Sequence, residues 1–273
     1  MPAFLNRLRS SLRATLAPVP DISAELWLQT LGRYPFLAAL PLAQQAKLRA
    51  LAALFLDRKE FHGAHGLVVT DAMAIDIAAQ ACLPLLHWGE PHKALAWYDD
   101  FVTIVVHPGE AVARREHTDE AGVVHRYTEV LAGEAMERGP VMLSWRHVAD
   151  GAASAGQGSN VVVHEFVHKL DMQNGHANGC PPLPANLLGA RGPRAALAAW
   201  QAAWQPAYAD FRDAVAKAER FGAEPPWLDA YGATAPAEFF AVACEAYFVN
   251  RERFAQEFPT LMPALDAFFR HPG

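Results

Sequence analysis

The sequence predicts an α+β protein, with a small mixed sheet in its N-terminal half and a mostly helical C-terminal half. Two observations support this prediction. Short apolar segments bounded by turn residues, which are typical of strands, occur between residues 101 and 145. From about residue 160 onward, apolar residues recur at helical spacing over segments too long for strands.

The composition is that of a soluble globular protein. The chain has 273 residues, of which 52% are hydrophobic and 19% charged, and its mean hydropathy is +0.03. A net charge of −6 without a long run of one sign argues against nucleic acid as the main partner, because phosphate binding requires clustered Lys and Arg. No apolar run approaches the roughly 20 residues of a membrane-spanning helix. Three widely spaced cysteines without a CxxC motif are typical of a reducing compartment, so we predict a cytoplasmic protein.

The chain divides into two parts by composition. Residues 1–20 contain Arg7, Arg9 and Arg13 but no acidic residue, and we predict a flexible basic segment there. No internal repeat or long linker interrupts the remainder. We therefore expect residues 21–273 to form a single domain.

The first half combines helices with the predicted strands. Leucines at helical spacing predict a helix within LAQQAKLRALAALFL, residues 42–56. A second helix should begin at Thr70 or Asp71 and end before Pro84. FVTIVVHPG (101–109) predicts a strand. VVHRYTEVL (123–131) and VMLSW (141–145) predict a further strand pair around the turn-like ERGP.

The second half is expected to be almost wholly helical. VVVHEFVHKL (161–170) follows Gly158, Ser159 and Asn160, any of which can cap a helix, and it precedes the helix stop signal Asn174-Gly175. A loop containing Pro181 and Pro182 follows, and helical patterns resume near Arg194. Trp200 and Trp204, four residues apart, are expected to lie in the core.

The segment HEFVH carries a metal-binding pattern. His164 and His168 are four residues apart, so on a helix both imidazoles lie on one face and converge on one point. Zinc binds neutral imidazole nitrogens in this arrangement. Glu165 lies roughly 100° around the helix, where it does not reach the same coordination position but can act as a general base toward water.

A catalytic zinc site normally has a third protein ligand. The extended spacing HExxHxxGxxH is absent, because Asp171 and Asn174 occupy its further positions. Asp171 shares the face of His164 and His168. We expect it to orient a ligand histidine, with a helix-end acid bonded to a loop as the alternative.

A glutamate from a later helix is the other source of a third ligand. Thr234 and Pro236 predict the start of a helix that is apolar apart from Glu238 and Glu245. Two carboxylates on a buried face are costly unless a cation neutralises them. Both glutamates are therefore candidates.

HEFVHKLDMQNG (164–175) followed by YGATAPAEFFAVACEAYF (231–248) resembles the Mlc titration factor A family of bacterial zinc-dependent peptidases. The resemblance extends from about residue 20 to the end of the chain and includes GPVMLSW. It implies a zincin-like fold with one Zn²⁺ per chain bound by His164, His168 and Glu238. Glu165 is then the catalytic base, Tyr231 stabilises the oxyanion, and Glu245 is an outer-sphere or structural carboxylate.

The resemblance also implies function. It predicts a peptidase, of aminopeptidase type, that acts on peptide substrates and regulates glucose uptake by binding the transcriptional repressor Mlc. The alternatives are a non-catalytic repressor-binding protein with a zinc site and a purely structural zinc site with a fourth protein ligand. In such folds an edge strand pairs with the extended substrate, and VMLSW is the predicted edge strand.

Overall fold

The computed structural model of the protein describes residues 21–118 and 124–270. The basic segment predicted for residues 1–20 lies outside the described residues. Within them, the α-helices are α1 (Ala24–Arg33), α2 (Pro35–Ala38), α3 (Leu42–Arg58), α4 (Asp71–Cys82), α5 (Pro91–Ala94), α6 (Trp145–Ala149), α7 (Gly151–Ser154), α8 (Val161–Asp171), α9 (Pro193–Phe221), α10 (Pro236–Val249), α11 (Arg251–Glu257) and α12 (Met262–Phe269).

The strands form one mixed sheet and one separate ribbon. They are β1 (Glu60–Gly63), β2 (Thr103–His107), β3 (Ala111–Thr118), β4 (Val124–Leu131), β5 (Gly133–Ala135) and β6 (Val141–Ser144). The sheet has the order β1-β2-β6-β5, with β1, β2 and β6 parallel and β5 antiparallel to β6. The ribbon pairs β3 with β4. The structure is therefore α+β, as the sequence predicts.

The predicted pairing of VVHRYTEVL with VMLSW is wrong. The first segment forms β4 and pairs with β3, a strand for which the sequence carries no prediction. The second forms β6, in the interior of the sheet between β2 and β5. Its apolar side chains explain this position, because Val141 and Leu143 are buried. The turn after Met136 joins β6 to the three-residue strand β5 instead, a strand too short to show an alternating pattern.

The predicted helices are confirmed, since local signals define their ends. Residues 42–56 lie within α3. The N-cap Thr70 accepts a hydrogen bond from the backbone N–H of Met73 at 3.3 Å, and α4 ends at Cys82, before Pro84. Pro193 and Pro236 open α9 and α10, consistent with the preference of proline for the first helical turn.

Helix α8, which carries the HEFVH segment, lies in the core. Asn160 caps it, its side-chain oxygen accepting the N–H of Val163 at 2.9 Å. The ring of Phe166 lies 5.6 Å from that of Phe55 and 5.2 Å from that of Tyr98. One cluster of buried hydrophobic residues extends along the chain from Ile22 to Phe269 and includes this helix. The site residues on α8 are therefore held by a rigid, packed element.

The aromatic pair on α9 also belongs to this core. The rings of Trp200 and Trp204 stack 5.0 Å apart and both residues are buried, which confirms the prediction made for them. Over the described ranges, the helices all fall short of the length and apolar character needed to span a bilayer.

Candidate metal centre

Helices α8 and α10 bring three possible metal ligands together. The Nε2 atoms of His164 and His168 are 3.1 Å apart. Oε2 of Glu238, in the first turn of α10, lies 3.1 Å from Nε2 of His164 and 3.2 Å from Nε2 of His168. One ligand atom from each residue therefore surrounds a common point. Local spacing aligns the two histidines, but the packing of α10 against α8 is needed to add the glutamate.

These separations fit a small tetrahedral cation. With ligand bonds of about 2.0–2.1 Å, the ligand atoms of a tetrahedral site stand about 3.3 Å apart. The observed distances of 3.1, 3.1 and 3.2 Å match this value closely. The side chains are also largely shielded from solvent. The three side chains therefore fit one small metal ion.

The electrostatics of the cluster favour a positive charge at its centre. Burial disfavours the charged form of Glu238, but hydrogen bonds from His164 and His168 outweigh it and lower the pKa of the carboxyl. Burial likewise disfavours protonated His164, yet Glu245 and Glu238 raise its pKa well above the usual value. The carboxylates therefore favour a positive charge beside them, which a bound metal ion would supply.

Glu245 contacts the outer side of His164 and takes no part in the ligand cluster. Its Oε1 lies 2.7 Å from Nδ1 of His164, the nitrogen that faces away from Glu238. Its Oε2 accepts hydrogen bonds from the hydroxyl of Ser159 and the backbone N–H of Asn160. The carboxylate therefore links the start of α8 to α10 and favours the His164 tautomer with a lone pair on Nε2. Of the two candidate glutamates, only Glu238 reaches the space between the imidazoles.

The role predicted for Asp171 is wrong. Its carboxylate accepts backbone hydrogen bonds from Asn178, Gly179 and Cys180 at 2.8, 2.7 and 2.9 Å. Nδ1 of His168 is buried and has no hydrogen-bond partner among the described residues. Asp171 thus behaves as a helix-end acid bonded to a loop, the alternative stated above. Three N–H groups in a row offer a carboxylate more hydrogen bonds than one imidazole can.

Glu165 lies beside the ligand cluster and is buried. Burial raises its pKa to about 7, although the neighbouring His164 and His168 favour the charged form. It makes none of the short contacts that join the three possible ligands. Its carboxyl group is therefore available for proton transfer in the cleft.

Tyr231 also lines the cleft at this cluster. It lies in a short 3-10 helix, Ala230–Ala233, where the carboxylate of Asp229 accepts its backbone N–H at 2.9 Å. Its ring centroid is 6.2 Å from that of His164. The side chain is 43% exposed, so the phenol borders the open part of the site.

Two cavities of about 330 and 160 Å³ open at this centre. Both are lined by Gly133, His164, Glu165 and Tyr231. The larger continues past Glu245, and the smaller past His168 and Glu238. An extended molecule lying across both cavities would pass directly over the ligand cluster.

The strand at the rim of these cavities is β5, so the prediction of VMLSW as the edge strand is wrong. The N–H of Ser144 donates to the carbonyl of Ala132 at 2.8 Å, and the N–H of Met136 donates to that of Pro140 at 3.3 Å. In an antiparallel ladder, every second residue directs its backbone N–H and C=O groups to the partner strand. The backbone groups of Glu134 therefore also face β6. The backbone N–H and C=O groups of Gly133 and Ala135 therefore point away from β6. No described strand pairs with this outer edge.

Comparison with known proteins supports the resemblance noted in the sequence. Residues 7–270 match the family model of the glucose-regulated metallo-peptidase M90. Mlc titration factor A of Klebsiella pneumoniae subsp. pneumoniae is 34% identical over 245 residues, which cover 89% of this chain and 85% of that protein. Mlc titration factor A of Salmonella arizonae is 33% identical over 246 residues, 90% of each chain. The predicted resemblance is confirmed, and the chain belongs to the glucose-regulated metallo-peptidase M90 family.

Proposed function

We propose that this protein is a zinc-dependent peptidase of the aminopeptidase type. The observation that carries the proposal is the convergence of His164, His168 and Glu238 next to an acid, Glu165, that does not join the cluster. The proposal includes a single zincin-like domain over residues 21–273, in line with the continuous hydrophobic cluster that surrounds α8.

Zinc is the proposed metal, with one ion per chain. Two imidazole nitrogens and one carboxylate oxygen form a donor set that zinc accepts in catalytic sites, with an open fourth position. Mg²⁺ and Ca²⁺ prefer oxygen ligands in larger number, so they fit this donor set poorly. Family membership independently indicates a metal-dependent protein.

The proposed mechanism assigns a separate task to each group. A bound zinc ion supplies Lewis acidity, which lowers the pKa of water and polarises the peptide carbonyl. Glu165 accepts the proton of the attacking water and then donates it to the leaving amine. The hydroxyl of Tyr231 donates a hydrogen bond to the oxyanion that forms from the carbonyl. The C–N bond breaks, and the products are a carboxylic acid and an amine.

The outer edge of β5 is the proposed binding site for the substrate backbone. An extended peptide added to this edge would pair with the N–H and C=O groups of Gly133 and Ala135. It would then lie along the rim shared by the two cavities. Backbone pairing contributes affinity without selecting a particular side chain.

Aminopeptidase action is testable through the charge of the substrate. Wild-type protein with one zinc per chain should hydrolyse a short peptide with a free amino terminus, and chelation should abolish turnover until zinc is restored. The larger cavity has an acidic lining that would favour a terminal ammonium group, formed by Glu165, Asp229 and Glu245. Acetylation of the peptide removes that ammonium. We expect the acetylated peptide to be a poor substrate in a chromatographic assay. Equal turnover of both peptides would indicate an endopeptidase.

Tyr231→Phe should separate oxyanion stabilisation from metal binding. The variant keeps the ring beside His164 but loses the hydroxyl donor. We expect kcat to fall by about 10²–10³, the usual effect of removing one oxyanion donor, with unchanged zinc content. Steady-state kinetics together with elemental analysis measure the two quantities. A variant with wild-type kcat would show that the Tyr231 hydroxyl does not stabilise the oxyanion.

Binding of an Mlc-type transcriptional repressor is a second proposed function. It is supported by the name Mlc titration factor A carried by relatives that align over most of this chain. Repressor binding and peptide hydrolysis can coexist. The non-catalytic alternative is a protein that binds the repressor but hydrolyses no peptide. Calorimetry with purified repressor and Glu165→Gln protein tests this, because binding should persist in a variant that lacks the proposed base.

A further inference from the structure

Gly133, the first residue of β5, lies directly against the side chain of Glu165. A Cβ atom built on Gly133 would lie 2.5 Å from Oε1, 2.7 Å from Cγ and 2.8 Å from Cδ of Glu165. These distances are far shorter than van der Waals contact. Any residue other than glycine at this position would therefore collide with the acid.

Backbone conformation does not explain the glycine. Gly133 is not among the residues with positive φ, so a side chain would fit its backbone angles. The space next to Gly133 is instead occupied by the Glu165 side chain, which an added Cβ would displace.

Neither the strand nor the helix can easily move apart to relieve such a collision. Lys169, one turn after Glu165 on the same face of α8, is fully buried. Its Nζ donates to the carbonyls of Met136 at 2.7 Å and Gly139 at 3.2 Å, in the turn that joins β5 to β6. It also forms an ion pair with Asp100 at 2.9 Å. This buried lysine fixes the distance between α8 and the β5–β6 hairpin.

We propose that Gly133 is a positioning residue for Glu165, and this inference rests on the proposed role of Glu165 as the base. Without a side chain, the edge strand covers one side of the carboxyl group and limits where it can point. The same residue directs its own N–H and C=O toward the outer edge, where the substrate backbone is proposed to pair. Gly133 thereby sets the position of the base relative to the peptide.

A double-mutant cycle tests the proposal. Gly133→Ala should lower kcat by about 10²-fold, the effect expected when a catalytic group is displaced by about 1 Å. KM, zinc content and Tm should change little. Glu165→Ala removes Cγ, Cδ and the carboxyl oxygens that the added methyl group would meet, and so makes room for it. In that background Gly133→Ala should cost less than about threefold, because coupled residues do not give additive effects.

Gly139→Ala is the matched control. Its added Cβ would meet the Cβ of Met136 at 2.7 Å, so it strains the same hairpin away from Glu165. It should leave kcat within about threefold of wild type, since distant sites couple weakly. Equal losses from Gly133→Ala in both backgrounds, or an equal loss from Gly139→Ala, would overturn the proposal.

Crystal structures of wild type and Gly133→Ala provide a test that needs no activity. The carboxyl group of Glu165 should shift by about 1 Å, while β5, His164, His168 and Glu238 superpose. Movement of β5 with an unchanged Glu165 would refute the positioning role. If the wild-type protein proves unable to hydrolyse peptides, the proposed function fails, and these structures still decide whether Gly133 positions the acid.

Discussion

Replacing Glu165 with glutamine is expected to lower peptide hydrolysis by about 10²–10⁴, the contribution usual for general acid–base catalysis. The amide has nearly the same shape as the acid but cannot accept the proton of the attacking water. Because Glu165 stands outside the ligand cluster, zinc content should remain near one ion per chain. Kinetics, elemental analysis and thermal denaturation of the purified variant measure the three effects.

The fold offers a specific reason to expect unchanged stability. Glu165 is buried, and burial already disfavours its charged form. A neutral amide of equal size therefore removes a desolvation cost and leaves the packing against Gly133 intact. Loss of zinc from this variant, or wild-type turnover with zinc bound, would contradict its assignment as the base.

Glu238→Gln should differ from Glu165→Gln in its metal content, because it should lose the metal as well as the activity. Its Oε2 completes the cluster with Nε2 of His164 and of His168. A neutral amide is a poor zinc ligand, and only two imidazoles would remain. Zinc titration against a competing chelator measures the affinity. His168→Ala removes another of the three proposed ligands and should behave in the same way.

Glu245→Gln is the matched control, because the same substitution is made two turns later on the same helix. Glu245 contacts Nδ1 of His164 and stands outside the cluster. Losing such an outer partner typically weakens metal affinity by about 10–100-fold, so zinc should still bind at high concentration. If Glu245→Gln loses zinc completely while Glu238→Gln keeps it, the third ligand is misassigned.

Features that depend on neighbouring residues could be predicted from the sequence. The spacing of His164 and His168 places them on one face because every helix has the same period. Thr70 and Asn160 cap their helices through hydrogen bonds to residues three positions away. The length and composition of each segment were enough for these predictions.

Features that depend on contacts between distant residues could not be predicted in this way. The residues alone left both Glu238 and Glu245 as candidates for the third ligand, and the family resemblance favoured Glu238. Asp171 was expected to orient a ligand histidine, with a loop-bonded acid as the alternative. Only the packing of α10 against α8 places Glu238 between the imidazoles and Glu245 against Nδ1 of His164. The loop 178–180 likewise returns to Asp171 and takes up its carboxylate.

The edge of the cleft was the largest difference between prediction and structure. A segment's apolar character shows that it is buried in a sheet, but its place in the strand order depends on which strands it meets. VMLSW was expected to be the edge strand by analogy with such folds, but it lies in the interior of the sheet. The short strand at Gly133 carried no pattern of its own. The sequence by itself determined the helix that presents the histidines and the acid between them, because these follow from local periodicity. The placement of Glu238 between the imidazoles, the partner of His164 and the glycine beside Glu165 were decided by the tertiary structure. Only the folded chain brings residues so far apart in sequence within hydrogen-bonding or van der Waals distance.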